Sequence, residues 1–191
     1  MAAHSSDDAL IDRFVIALNR KGLDSLPIEE VPRELRDSTH ANWPGASCEW
    51  QIRPGNGTPW ISQLEEALPF QFPRLFRSFV TRYLFSEFEV GPIMFFANTG
   101  QSVTKELSQD VFVDKHLYPT LFQAGYLQFG RQAGGGYDPV CFAMKRAPDS
   151  DAPIVQLDHE EVLIHERIRI VRELAPSFRQ FVEEQMRQVS S

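Results

Sequence analysis

The residues best suited to chemistry lie in the stretch DHEEVLIHE, Asp158 to Glu166. Two histidines among carboxylates are the ligand types that zinc takes. The spacing works against a metal site. His159 and His165 are six residues apart, about 240° around a helix, so on a helix they do not converge. On one uninterrupted strand they share a face but sit about 20 Å apart. A metal would need a bend and ligands from elsewhere, so the stretch reads as a solvated acidic loop at a strand end. Cys141, paired with His159 or His165 and an aspartate, supplies the residue types of a nucleophilic triad. Yet Cys141 lies in an apolar run, where a free cysteine is usually a small buried hydrophobe. The chain has no Gly-x-Ser-x-Gly elbow. The glycine cluster AGGGYDP is followed by an apolar strand pattern and has no Gly-Lys-Ser/Thr, so it predicts a hairpin turn and not a phosphate cradle. No catalytic residue, metal or cofactor is expected.

The residues left for function are those that could touch a partner. Trp43, Trp50 and Trp60 flank a loop-rich segment, and tryptophan is enriched at interaction hot spots. The competing role is to pin that segment to the core. Glu65 and Glu66, with Asp158, His159, Glu160 and Glu161, form the candidate acidic faces. With Trp43 and Trp50 they are the candidate partner-binding residues.

The elements that would position these groups follow from periodicity. Leu10, Ile11, Phe14, Ala17 and Leu18 recur at helical spacing, and Gly22 is a stop. Residues 23 to 59 are irregular, with five prolines and the loop PGNGTP; Val31 to Asp37 can hold a helical turn and SCEWQIR a short strand. Trp60, Ile61, Leu64 and Leu68 share the face of a short helix that Pro69 ends. A second helix is predicted to carry Phe72, Leu75, Phe76, Phe79, Val80, Tyr83 and Leu84. Gly91 to Ala97 reads as a central strand covered on both faces. Pro119 fits N1 of a short helix ending before Gly125. Strands are predicted around Leu127 to Phe129, Val140 to Met144 and IVQLDH, with one or two more between Val162 and Val171. A last helix is predicted to begin near Ala175, with Pro176 in its first turn and Phe178, Phe181, Val182 and Met186 inward. Helices, then adjacent strands, then a helix give an α+β fold with a mainly antiparallel sheet.

The order of these pieces resembles the SUKH superfamily (Smi/Knr-type domains) over about residues 60–185. The carrying residues are Glu65, Leu68 and Pro69 in the first half, then Tyr137, Asp138, Ala175, Ser177 and Phe178. The family's tyrosine–asparagine–glycine end of the second helix is replaced here by Tyr83-Leu84-Phe85. The resemblance implies a single-domain interaction module without shared catalytic apparatus. Residues 1–59 would be an N-terminal helix and loop-rich extension packed on a SUKH-like domain of residues 60–191.

Composition sets the remaining bounds. The 191 residues include 15 phenylalanines, 42% apolar residues and two cysteines, with a formal net charge of -7. A chain this long can bury roughly 70% of its unfolded surface without disulfides or metal. The longest apolar run is too short to cross a bilayer, and the first residues do not read as a signal peptide, so a reduced, cytoplasmic protein is expected. The acidic balance argues against nucleic acid as a partner, because a polyanion needs a basic surface. It favours a basic protein partner. Among SUKH proteins this implies an immunity protein that binds and neutralises a toxin or nuclease domain. The alternatives are a regulatory scaffold of the Smi/Knr type, and a divergent hydrolase or metal-binding protein using the Asp158–His165 cluster.

Overall fold

The computed structural model describes residues 6–37, 43, 45–55, 59–99, 107–112, 114–146 and 151–189. The side chain of Trp60 and residues 147–150 lie outside the described residues. Helix α1 (Ser6–Lys21) buries Leu10, Ile11, Phe14 and Leu18 as predicted, and also Val15, while Ala17 is only half-buried. Gly22, at φ +84°, ends it in the left-handed conformation that glycine adopts without penalty. Two-residue strands β1 (Leu26–Pro27) and β2 (Ser47–Cys48) pair with each other. A 3₁₀ turn, Arg33–Leu35, lies between them. Strand β3 (Arg53–Pro54) and helices α2 (Pro59–Ala67) and α3 (Arg74–Arg82) follow.

Helix α3 is shorter at both ends than its apolar pattern predicts. Pro73 is its N-cap, and Phe72 lies outside, its amide donating to Glu65 Oε1 at 3.2 Å. At the other end Tyr83 is extended, and strand β4 (Tyr83–Leu84) pairs with β3. The buried amide of Asn98 donates to the carbonyls of Val80 and Tyr83, both at 2.7 Å. Those carbonyls are thus satisfied without another helical turn.

Strands β5 (Phe88–Val90) and β6 (Ile93–Phe95) form a hairpin. The Gly91–Ala97 run is therefore not one central strand. Gly91, at φ +56°, and Pro92 make the turn, and β6 lies next to the sheet edge. Helices α4 (Leu107–Asp110) and α5 (Leu117–Ala124) lead to β7 (Tyr126–Gln132), β8 (Pro139–Ala143) and β9 (Ile154–Leu157). Pro119 is the third residue of α5, and Gly125 caps it at φ +91°. The Asp158 segment, expected as loop and strand, is instead helix α6 (His159–His165). Only one further strand follows, β10 (Ile170–Ala175), and then α7 (Phe178–Val189). Helix α7 starts after the predicted Ala175–Pro176 because Ala175 is still strand. Its first turn is capped by Ser177 Oγ, which accepts from the Gln180 amide, and by Asp151, which accepts from the amides of Phe178 and Arg179.

The large sheet has the order β10-β9-β8-β7-β6-β5, each neighbour antiparallel. The fold is α+β with an antiparallel sheet, as the element order predicts. Alternation along the inner strands explains why every residue of β8 and β9 is buried. Val140, Phe142 and Ile154 enter the main core with α1, α3 and α7. Cys141, Val155 and Leu157 enter a second cluster with Leu117 and Leu121 of α5 and Val162 of α6. The sheet thus has helices on both faces. In β10 the pairing to β9 slips between Ile170 and Arg172 and again between Glu173 and Ala175.

The main core is a phenylalanine network centred on Phe76. Its ring lies 5.1 Å from Phe129, 5.1 Å from Phe142 and 5.3 Å from Phe178. Phe79 stacks on Phe85 at 4.7 Å. Leu10, Phe14, Trp50 and Ile52 belong to the same cluster, so the N-terminal third shares the core of the rest. Among the described residues, no helix is long and apolar enough to cross a membrane.

Carboxylates of α1 hold the outer helices together. Asp7 pairs with Arg74 and Arg179, and Asp12 accepts from Arg82 and from the Tyr83 hydroxyl, both at 2.6 Å. Burial, then the bond to Asp12 and its charge, push the Tyr83 phenol up to about 12. The unfolded phenol loses its proton near about 10. The folded state therefore keeps a neutral tyrosine where the unfolded state ionises. That contribution is whole below the unfolded value and is lost as pH rises from roughly 10 towards 12. Denaturation midpoints across this range should fall more steeply in the parent than in Tyr83→Phe. Parallel curves would remove Tyr83 as the cause.

Candidate functional site

Helix α6 carries the site. Asp158 is its N-cap, with Oδ1 accepting from the Glu161 amide at 3.1 Å, and Glu160 and Glu161 sit in the first turn. Carboxylates there oppose the positive end of the helix dipole. The acidic spacing that suggested a loop is thus a helix start. Across from it, the β7–β8 turn bends through Gly134 and Gly135, both at positive φ, and delivers Tyr137 and Asp138.

Asp138 anchors α6 to that turn. Its Oδ1 lies 2.8 Å from His159 Nδ1 and 3.2 Å from the His159 amide, and its Oδ2 accepts from Gln156 Nε2 at 2.8 Å. Burial raises the carboxyl's affinity for a proton, but the bonds from His159 and Gln156 outweigh it and hold Asp138 below its ordinary range. An ionised Asp138 only accepts, so Nδ1 of His159 donates to it, and Nε2 is the ring nitrogen that this bond leaves open.

His159 borders a cleft of about 230 Å³. Gln128 and Arg131 of β7, Tyr137 of the turn, Leu163 of α6 and Asp114, just ahead of α5, share the lining. Tyr137 is 73% exposed, its ring 6.0 Å from that of His159. Beyond the cleft, α6 exposes Leu163 and Ile164, the latter at 69%, and β10 exposes Ile170 and Val171. Glu160 and Glu166 are exposed on the same segment. These apolar residues sit outside both core clusters, on the unit that runs from β9 through α6 to β10.

The other candidate residues separate into used and open ones. Trp50 is 3% exposed, its Nε1 donating to the Asp24 carbonyl at 3.1 Å and its ring 6.3 Å from Phe88. It pins the irregular segment and presents no face to a partner. Trp43 is 64% exposed. Glu65, expected on an acidic face, has a side chain only 8% exposed and accepts from the Phe72 amide and Arg77 Nε. It staples α2 to α3, while Glu66 is exposed. Asp158 and Glu161 are neutralised by Arg169 at 3.2 Å and Arg167 at 3.1 Å. The net acidity of this face is therefore smaller than the sequence suggests, and Glu160 and Glu166 carry it.

The residues named for the catalytic alternatives are not brought together among the described residues. His159 and His165 are the two ends of α6. No group of three metal-ligating side chains occurs among the described residues. Cys141 is fully buried among apolar side chains, and burial pushes its thiol well above the ordinary range. A second cleft of about 350 Å³ contains Arg74, Arg77 and Asp151. Arg74 is bound to Asp7, Arg77 to Glu65, and Asp151 to the start of α7. No family model matches the chain, and no curated protein matches it.

Periodicity did not single out Tyr137, Gln128, Leu163 or Ile164 as site residues. Tyr137 and Asp138 were visible as a pair after the glycine turn. The Asp138–His159 contact spans 21 residues and two strands, and no local pattern encodes it.

Proposed function

We propose that the chain is a non-catalytic protein–protein interaction module of SUKH type. Its role would be that of an immunity protein, which binds a basic toxin or nuclease domain and covers its working surface. The observation that carries this reading is the exposed apolar set Tyr137, Leu163 and Ile164 around α6, flanked by Glu160 and Glu166. Apolar anchors with a charged rim are the anatomy of a docking face. A nuclease must be basic to hold its substrate, and a net charge of -7 steers such a partner inward. Occlusion needs no catalytic group on this side of the complex.

The test starts from a toxin candidate encoded beside the gene. Co-expression should rescue growth, and the purified pair should associate more slowly as salt rises. Ile164→Asp should weaken the complex by about 100-fold, the loss of a hot-spot anchor. Its circular dichroism should match the parent, because Ile164 is exposed. Binding unchanged in both Ile164→Asp and Tyr137→Ala would reject this face.

A further inference from the structure

The cleft beside α6 is rich in acceptors. Gln128 is 7% exposed and lines it. Its Nε2 donates to the Gly130 carbonyl at 3.1 Å, and its Oε1 receives no hydrogen bond from a described residue. His159 stands on the same lining, with Nε2 the ring nitrogen that Asp138 leaves open. Asp114 adds a carboxylate whose Oδ1 accepts from the amides of His116 and Leu117, leaving Oδ2. Asp110 adds a second carboxyl group to the lining, one already engaged in a contact of its own. The exposed Tyr137 ring offers a π face, which attracts cations.

The positive group in the lining is Arg131, and Glu87 Oε2 lies 3.5 Å from its NH2. Its buried Nε has no acceptor among the described residues. A ligand for this cleft therefore presents several donors and a positive charge at one end. At the other it presents a neutral acceptor such as a peptide carbonyl. A free anion meets Asp110 and Asp114; a neutral apolar group leaves Gln128 and His159 unsatisfied, which is costly in a desolvated site.

We infer that the cleft receives a basic side chain, guanidinium or ammonium, presented by a protein partner. This rests on the interaction-module reading and gives the docking face a specificity pocket. The arriving cation donates to Gln128 Oε1 and Asp114, and the carbonyl of its own residue accepts from Arg131.

The isolated protein tests this without the natural partner. A capped glycine–arginine–glycine peptide is titrated into ¹⁵N-labelled protein, following the Gln128 side-chain amide and the His159 backbone amide. Saturable shifts with a roughly millimolar Kd are expected. The isosteric citrulline peptide should bind at least fivefold more weakly, and a glutamate peptide should leave both signals unmoved. Gln128→Leu with Asp114→Asn should lose the response; asparagine keeps a side-chain oxygen for the His116 and Leu117 amides that lead into α5. Equal binding of arginine and citrulline peptides, preference for glutamate, or no response at saturating peptide would each overturn the inference. If the partner still binds the double variant at full strength but not Ile164→Asp, the docking face stands and the pocket falls.

Discussion

Phe76→Ala should cost about 3–5 kcal/mol by equilibrium denaturation, among the largest effects of any single substitution here. Phe76 is 1% exposed and touches rings from three elements: Phe129 of β7, Phe142 of β8 and Phe178 of α7. Truncation removes the transfer energy of the ring and leaves a cavity. The surrounding rings are held by backbones on both sides of the gap, so they close it poorly. Phe142→Ala and Phe178→Ala should follow in the same range, because both side chains are fully buried in the same cluster. A cost under about 1 kcal/mol for two of the three would refute a shared core.

Gly130→Ala should cost about 3 kcal/mol through the opposite fault, too much matter in a fixed space. A Cβ at Gly130 would lie 2.4 Å from the Met94 carbonyl oxygen, a backbone atom of the paired strand β6. The clash cannot be relieved by rotating a side chain; β6 and β7 must separate at the point where Phe95 faces Gly130. Gly134→Ala is the control. It meets nothing within 4 Å and pays only for its φ of +75°, about 1–2 kcal/mol. If Gly134→Ala proved the more damaging of the two, strand spacing at Gly130 would not be the constraint.

The sequence is most legible where one face of one element decides the outcome. The spacing of Leu75, Phe76, Phe79 and Val80 placed α3 and its core face, because burial on a 3.6-residue period has few other solutions. Gly22 and Gly125 marked helix ends because their left-handed backbones favour glycine. The antiparallel sheet followed from short strands separated by turns. Legibility fails where a distant group sets a local structure. Asn98 ends α3 from fifteen residues beyond Tyr83, and Asp151 delays the start of α7 from 27 residues before Phe178. Asp158 heads a helix although the acidic stretch after it looks like loop. The candidate site suffers most. Glu65 and Trp50 were visible as residue types that could meet a partner, yet their hydrogen bonds turn inward. Gln128 gave no signal, because a glutamine in a strand acquires meaning only when the opposite wall is known.

The two slips in the pairing of β10 bear on how this protein avoids meeting itself. Strand β10 ends the sheet, and most of its residues are exposed. An even, flat strand in that place is a template on which further chains can stack edge to edge. At Val171 and Leu174 the ladder to β9 falls out of step. Each extra residue bends the strand and sharpens its twist, so the outward donors and acceptors no longer repeat at the interval an incoming strand would need. The end of the sheet is thereby a poor seed for fibres, although Ile170 and Val171 remain exposed there.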